Sequence, residues 1–321
     1  MTISKELYSA ARVALRDCLG LQAGERVAVI TDEPCRSIGQ AIFQVARDMK
    51  NEAVLVEIVP RRTNGEEPPP EVAHVMQNVD VVLCPTSKSL THTNAKRGAS
   101  AKGVRVATLP GVTEEMMIRC MNADYDRIAA LTNELVALLE KTSVVKVKAP
   151  SGTDIVLPIK GRKGYASHGL FREKGMGGNL PTGEAFLAPL EGQSNGVVVV
   201  DGSMAGIGMV KEPIRITVKD GFAEEITGGD TAKKLVELLE IHGRPSRNVA
   251  EFGIGTNDKA RITGVILEDE KVKGTIHVAF GDNVSMGGSV NVQSHLDGLI
   301  LSPTVWFDDT KIMEEGKLLV T

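Results

Sequence analysis

Several things are missing from this sequence, and each absence excludes a class of function. No apolar run approaches the ~18 residues that span a bilayer. The first twenty residues, MTISKELYSAARVALRDCLG, carry charges where a signal peptide needs an apolar centre. A soluble, cytoplasmic protein is therefore expected, with no membrane partner. Basic excess is missing too: 37 Lys and Arg face 41 Asp and Glu, for a net charge of −4. That is the wrong sign for a nucleic-acid partner, and aromatic residues at 3% are too sparse for base-stacking platforms. Cys18, Cys35, Cys84 and Cys120 form no CxxC pair, so neither a zinc ribbon nor a disulfide framework is indicated. Phosphate-cradling loops are also absent. The turn after the first predicted strand reads Thr31-Asp32-Glu33-Pro34-Cys35, with no glycine before Gly39, and no GxxxxGK[ST] occurs. Two acids at a helix start repel a phosphate. These features point away from NAD and ATP.

What remains is ordinary globular composition, 42% hydrophobic and 24% charged, over 321 residues; that length suggests about two domains. Leu7, Ala11, Leu15 and Leu19 recur at helical spacing in residues 4–20. Strand-like runs follow at 23–32, 53–59, 79–86 and 104–110, with helical patterns between them and a last one at Tyr125–Leu139. That alternation predicts a parallel sheet with helices on its faces. The second half changes period. VVKVKAPSGTDIVLPI reads as a hairpin around Ser151-Gly152, and GVVVVDG, PIRITVKDG and GFAEEITGG continue the antiparallel pattern, with Asp220-Gly221 as a tight turn. One amphipathic helix, Thr231–Ile241, interrupts it. RITGVILED, GTIHVAFG and HLDGLILSPTVWFD read as further strands. The expected fold class is α/β: an N-terminal open α/β domain with a Rossmann-like parallel sheet over 1–142, then a β-rich α+β catalytic domain over 143–321.

In the first half, the hydroxyl-rich loop 85–98 leaves the C-terminal end of a strand, where ligands of open sheets sit; a helix cap is the more ordinary explanation. His92 in this loop reads as a solvent residue at a helix start. YASHGLFREKGMGGN, with His168 and Arg172, reads as a surface loop, with a mobile lid as its functional version. His242-Gly243 reads as a helix C-terminus, and Trp306 as a core or dimer-contact residue.

The chemistry concentrates in the second half. In SHLDG, His295 and Asp297 are two apart in a strand, so both side chains share one face. His277 lies inside GTIHVAFG, Glu251 inside VAEFGIG, and Glu184 inside NLPTGEAFLAP. An acid or imidazole in such an apolar setting is costly unless something compensates it. Each alone is explained by a hydrogen-bonded core pair. Together, a buried metal centre explains all of them. Glu270, in EDEKVKGTIH, adds a fourth carboxylate, although EDEK also reads as a solvated turn. Four negative charges match two divalent ions, the composition of a two-metal hydrolytic centre with ions ~3.5–4 Å apart.

The strings NLPTGEAFLAP, EFGIGTN, GTIHVAFGDN and SHLDG resemble the metal-site motifs of the M29 metalloaminopeptidases, the leucyl aminopeptidase or aminopeptidase T type. The first half is similar more diffusely, through AGERVAVITD and GVRVATLPG. The resemblance implies an N-terminal α/β domain, a β-rich catalytic domain, a homodimer and a two-metal site of Zn, Co, Mn or Mg. By that resemblance Glu184, His277, His295 and Asp297 are metal ligands and Glu251 bridges the two ions. Glu270 matches a family glutamate if two extra residues are allowed before His277. Val284 stands where the family has a tyrosine, and the chain resembles a compact branch.

The implied activity is removal of the N-terminal residue from short peptides by a metal-activated water. Asn283, or a backbone N–H near Gly287-Gly288, is the candidate oxyanion donor in place of the tyrosine, and Glu251 the candidate catalytic carboxylate. A second reading comes from ring-opening dioxygenases of 2,5-dihydroxypyridine, which resemble distant relatives of the same fold. In that reading His277, His295 and Asp297 hold one Fe(II). A third is a metal-binding module without turnover.

Overall fold

The computed structural model describes residues 3–320. The chain forms two compact units, Met1–Arg127 with Gly169–Thr182, and Ile128–His168 with Gly183–Thr321. The expected boundary at 142 is thus displaced into the helix Tyr125–Leu139, and residues 169–182 return to the first unit.

The first unit carries a five-stranded sheet in the order Glu52–Ile58, Arg26–Asp32, Val81–Thr86, Arg105–Pro110, Gly177–Asn179. Every pairing is parallel. Near-continuous apolar strands demand cover on both faces. Ala28, Ile30, Val82, Cys84 and Val106 pack on one side with Val72 and Met76 of the helix Pro70–Met76 and with Ala95 and Ala99 of Asn94–Ala101. The loop 85–98 is built as a cap: Thr93 Oγ1 accepts from Lys96 N at 3.2 Å, and Ser87 donates to Asp32 through both N (2.7 Å) and Oγ (2.6 Å). His92 is exposed, as expected.

YASHGLFREKGMGGN differs from the surface loop its composition suggests. Tyr165–Ser167 is a strand of the second unit, while Gly177–Asn179 adds the fifth strand to the first. Arg172 is tethered within the first unit, donating to Asp17 O at 2.7 Å and pairing with Asp126 at 3.0 Å. Glycines permit that strand: a Cβ on Gly177 would lie 2.2 Å from Val106 O.

The second unit holds an eight-stranded and a seven-stranded antiparallel sheet. Alternate residues of both build one core. Val145, Val147, Ile155, Leu157, Val198, Val200, Ile214 and Ile216 come from the first sheet. Leu187, Phe252, Ile254, Ile276, Val278, Phe280 and Ile300 come from the second. Leu131, Leu135 and Leu139 of one helix and Ala232, Leu235 and Leu239 of Gly229–Glu240 join them. A fully buried phenylalanine such as Phe252 or Phe280 contributes about 2–3 kcal/mol from burial alone. His242 donates its N–H to Leu239 O, and Gly243 follows at φ 70°, as a helix C-terminus requires. Trp306 is half-buried on the strand Thr304–Phe307, under the Lys311 ammonium at 5.9 Å.

One expected strand is absent. RITGVILED forms a loop and the helical turn Ile266–Asp269. Carboxylate capping overrides its β-branched composition: buried Asp269 accepts from Thr263 N (2.7 Å) and Gly264 N (2.9 Å), and buried Glu268 from Arg261 N (2.8 Å). Among the described residues no helix is long and apolar enough to cross a membrane.

Candidate metal centre

The seven-stranded sheet sorts its side chains by period two. Phe252, Ile254, Ile276, Val278, Phe280 and Ile300 face the core. The alternating set faces the other way, and the register brings it together. Gly255 lies opposite Glu184, Gly253 opposite both Phe186 and His277, Ala279 opposite both Glu251 and Asp297, and Gly281 opposite His295. Glu184, Glu251, His277, His295 and Asp297 therefore share one face of four adjacent strands.

The small residues among them make the approach possible. A Cβ on Gly253 would sit 2.1 Å from His277 Nε2 and 2.2 Å from Cε1, so the imidazole lies directly over the bare backbone. A Cβ on Gly255 would sit 2.1 Å from Val272 O, so the segment carrying Glu270 and Lys271 is seated flush on the strand end. Asn257 and Val272 form a bridge there.

Two groups bring ligand atoms within 4.8 Å of one another: Glu184, Glu251 and His277, and Glu251, His295 and Asp297. Glu251 belongs to both. Its Oε1 is 3.1 Å from His277 Nε2 and its Oε2 is 3.2 Å from His295 Nε2. Glu184 Oε2 lies 3.6 Å from His277 Nε2, and Asp297 Oδ1 3.4 Å from His295 Nε2. His277 is fully buried and Glu184 and Glu251 are each 7% exposed.

Both imidazoles turn Nε2 toward the carboxylates. His295 Nδ1 lies 2.8 Å from Asp282 O; a carbonyl only accepts, so Nδ1 carries the proton and Nε2 is the atom offered to the carboxylates. The loop supplying that carbonyl is itself pinned, since the Asp282 carboxylate accepts from Val284 N and Val292 N at 3.2 Å. His277 Nδ1 finds no partner among the described residues, while its Nε2 faces the acids.

Lys271 was not evident from sequence. Its side chain is buried at 4% exposure; Nζ donates to Glu184 Oε1 at 2.6 Å and to Glu270 Oε1. Glu270 thus belongs to the cluster through Lys271, and neither compact ligand group includes it. The only sequence signal was the lysine inside EDEK, which local charge density made look solvated.

The charges perturb one another strongly. Burial pushes the Glu270 carboxyl up, and the Asp297 and Glu184 charges add to it, reaching about 8 despite Lys271. Burial opposes charge on His277, but the hydrogen bond and charge of Glu251, with Glu184 and Asp297, raise it to about 9. Against burial, Asp297 and Glu251 hold His295 well above the ordinary imidazole value. Burial works against ionising Asp297, yet His295 and His277 hold it well below the usual carboxylate range. Against its own burial, Glu251 is lowered by hydrogen bonds with both imidazoles. Glu184 and Glu270 overcome burial to hold the Lys271 ammonium above its ordinary value. Desolvating each such ion costs several kcal/mol, more than a surface ion pair returns. A cation between the imidazole Nε2 atoms and the carboxylates fits this donor set, which combines nitrogen and hard oxygen ligands.

Asn283 does not have the position expected of an oxyanion donor. Its Nδ2 donates to Glu191 Oε1 at 2.9 Å and its Oδ1 accepts from Val290 N at 2.9 Å. Fully buried, it braces the loop, and Arg162 pairs with the same Glu191. Val284 is 47% exposed. Instead, the site's face carries an aromatic pair, Tyr165 stacked on Phe186 with centroids 5.6 Å apart and planes at 23°. Phe186 lies opposite Gly253, the residue under His277.

Buried acids and imidazoles gathered on one face of an antiparallel sheet, in a chain that also folds a parallel α/β unit, define a metal-site enzyme fold. The chain belongs to the family described as NicX: 2,5-dihydroxypyridine 5,6-dioxygenase, whose model matches residues 6–320. Its fold is similar to that of 2,5-dihydroxypyridine dioxygenase from Pseudomonas putida, at 18% identity, a TM-score of 0.83, and coverage of 98% of this chain and 97% of that one. It is also similar to AmpT from Thermus thermophilus, at 19% identity, a TM-score of 0.73, and coverage of 99% and 100%. The second likeness agrees, at the level of fold, with the aminopeptidase T resemblance of the motifs; the family itself is that of the dioxygenase. No curated protein sequence matches.

Proposed function

We propose that this chain is a ring-cleaving dioxygenase that uses one divalent metal ion, on the NicX pattern, to open a small dihydroxylated N-heteroaromatic ring. The observation that carries the reading is a two-imidazole, carboxylate donor set in a chain matching that family over residues 6–320. The Tyr165–Phe186 stack on the same face supports a flat aromatic substrate.

His277, His295 and Asp297, with Glu251 between the imidazoles, are the residues that would hold the ion. When bound, such an ion lets dioxygen and a phenol-like ring react, with both oxygen atoms entering the product. The chain's own residues do the rest. Glu251 and Asp297 would balance the charge of a bound ion. Asp282 O fixes the His295 ring through its Nδ1–H. Glu184, anchored by Lys271 through Oε1, keeps Oε2 at the His277 end, where it can accept a substrate hydroxyl proton. The half-buried Phe186 and Tyr165 supply a wall for the ring.

A second reading, the two-metal aminopeptidase acting on short peptides, is favoured by one observation: Glu251 is common to both three-ligand groups, the position of a bridging carboxylate. One comparison separates the two. Protein purified without oxygen and loaded with Fe(II) is given 2,5-dihydroxypyridine while oxygen uptake and ring absorbance are followed; Zn-, Co- and Mn-loaded protein is given amino-acid p-nitroanilides. Equimolar oxygen uptake and absorbance loss, abolished in His295→Ala, is the expected result. Nitroaniline release without oxygen uptake on any dihydroxypyridine overturns the dioxygenase reading.

A further inference from the structure

We infer that Lys271 is a built-in second cation: its ammonium takes the charge of Glu184 and Glu270, withdraws Glu184 from metal binding, and holds the centre to the single ion of His277, His295 and Asp297. The inference rests on the reading of this sheet face as a metal centre and deepens it by assigning the ion count to one residue.

The donor set alone offers two places for an ion, one at Glu184, Glu251 and His277 and one at Glu251, His295 and Asp297. Only the first is contacted by an ammonium. Lys271 Nζ lies 2.6 Å from Glu184 Oε1 and also pairs with Glu270. A divalent ion held by Glu184 would sit within a few ångströms of that charge, in surroundings that screen it poorly. With Glu184 taken up, one donor set remains around Glu251: the two imidazole Nε2 atoms and the Asp297 carboxylate, whose ion-pair contacts are with one another rather than with an ammonium.

The lysine is fixed rather than adventitious. Its backbone carbonyl accepts from Asn257 N at 2.9 Å, and Lys273 N donates back to Asn257 O at 3.0 Å. Gly255 admits the segment with no room for a side chain. The turn just before it is tied down by Asp269 and Glu268. A lysine held at 3% exposure by so much backbone is placed for its charge.

The test is zinc(II) stoichiometry on the full chain, by calorimetric titration of chelator-treated protein and elemental analysis after desalting. Wild type is expected to take up one equivalent, Lys271→Arg one, and Lys271→Gln two. The charge-matched pair Lys271→Gln with Glu270→Gln removes one charge of each sign and is also expected to take two, which keeps the question answerable if the single variant does not fold. Two equivalents in wild type, or one in both glutamine variants, overturns the inference. The oxygen-uptake assay on wild type is independent of that count. Failure here with oxygen uptake intact removes only the role of Lys271, whereas loss of oxygen uptake on every ring tested removes the ring-cleavage reading itself.

Discussion

Replacing Gly253 by alanine puts a methyl group in place of one hydrogen, at the point where the site tolerates it least. The new Cβ falls 2.1 Å from His277 Nε2, 2.2 Å from Cε1 and 2.9 Å from Cδ2. An ordinary contact of this kind needs ~3.5 Å, so the ring must retreat by about 1.4 Å or the strands must part. Metal–ligand distances tolerate about 0.2 Å, and a retreat several times larger takes His277 out of reach of a shared ion. Even disturbing a ligand's support costs about 10–100-fold in metal affinity, roughly 1.4–2.7 kcal/mol, and losing the ligand position costs at least the upper figure. Overpacking adds about 1–3 kcal/mol to the folding cost. The assay is chelator competition for metal affinity together with Tm measured with and without metal. Gly98→Ala is the control, because its Cβ meets only the mobile amide end of Gln77 at 3.0 Å; it should leave affinity unchanged and stability equal or higher by about 0.5–1 kcal/mol. If Gly253→Ala binds metal within about twofold of wild type, the placement of His277 over that backbone has nothing to do with metal binding.

Two further outcomes follow from the ionisation of buried groups. In metal-free protein His277 is raised to about 9 and Glu270 to about 8, so both bind protons more tightly folded than unfolded. Their contribution is complete below about pH 6.5 for His277 and about 4.5 for Glu270, and is lost as pH rises through 9 and 8. The Tm of metal-free protein should therefore fall between about pH 6.5 and 9, and excess metal should flatten that fall; a Tm that rises across this window refutes the assignment. All four cysteines are buried, and burial pushes Cys35 and Cys84 up to about 12. A thiol-reactive dye at pH 8 should label none of them in native protein and all four in denaturant; rapid native labelling would place at least one thiol at the surface.

The parallel sheet was legible because its strands are apolar runs separated by helical patterns, and the paired strands at 144–158 because their alternation is regular. The site was legible in part for the same reason. Glu251 and His277 are chemically out of place inside apolar strands, and His295 and Asp297 share a face by spacing alone. Lys271 stayed hidden because the residues beside it are charged, and only the tertiary seating of Val272 on Gly255 turns that run inward. Asn283 misled for the opposite reason: its position after His277 suggested chemistry, while its hydrogen bonds show a brace. Gly253 gave no signal, since a glycine under a ring is recognised only once the register is known. RITGVILED looked like a strand because propensity cannot see the carboxylates that cap its turns.

The return of residues 169–182 to the first unit bears on how this architecture can be cut or inherited. Gly177–Asn179 is the outermost partner of Arg105–Pro110, although it is made after the chain has already begun the second unit's sheets. A fragment stopped at 142 would leave the backbone of Arg105–Pro110 open along one side, a template for pairing with other chains. Its complement would carry a strand with no sheet to join. The two units are therefore not interchangeable modules: neither is a single stretch of gene, and no one breakpoint separates them with both intact. A ribosome, too, releases the first unit unfinished, so its sheet closes only after more than half of the chain has been made.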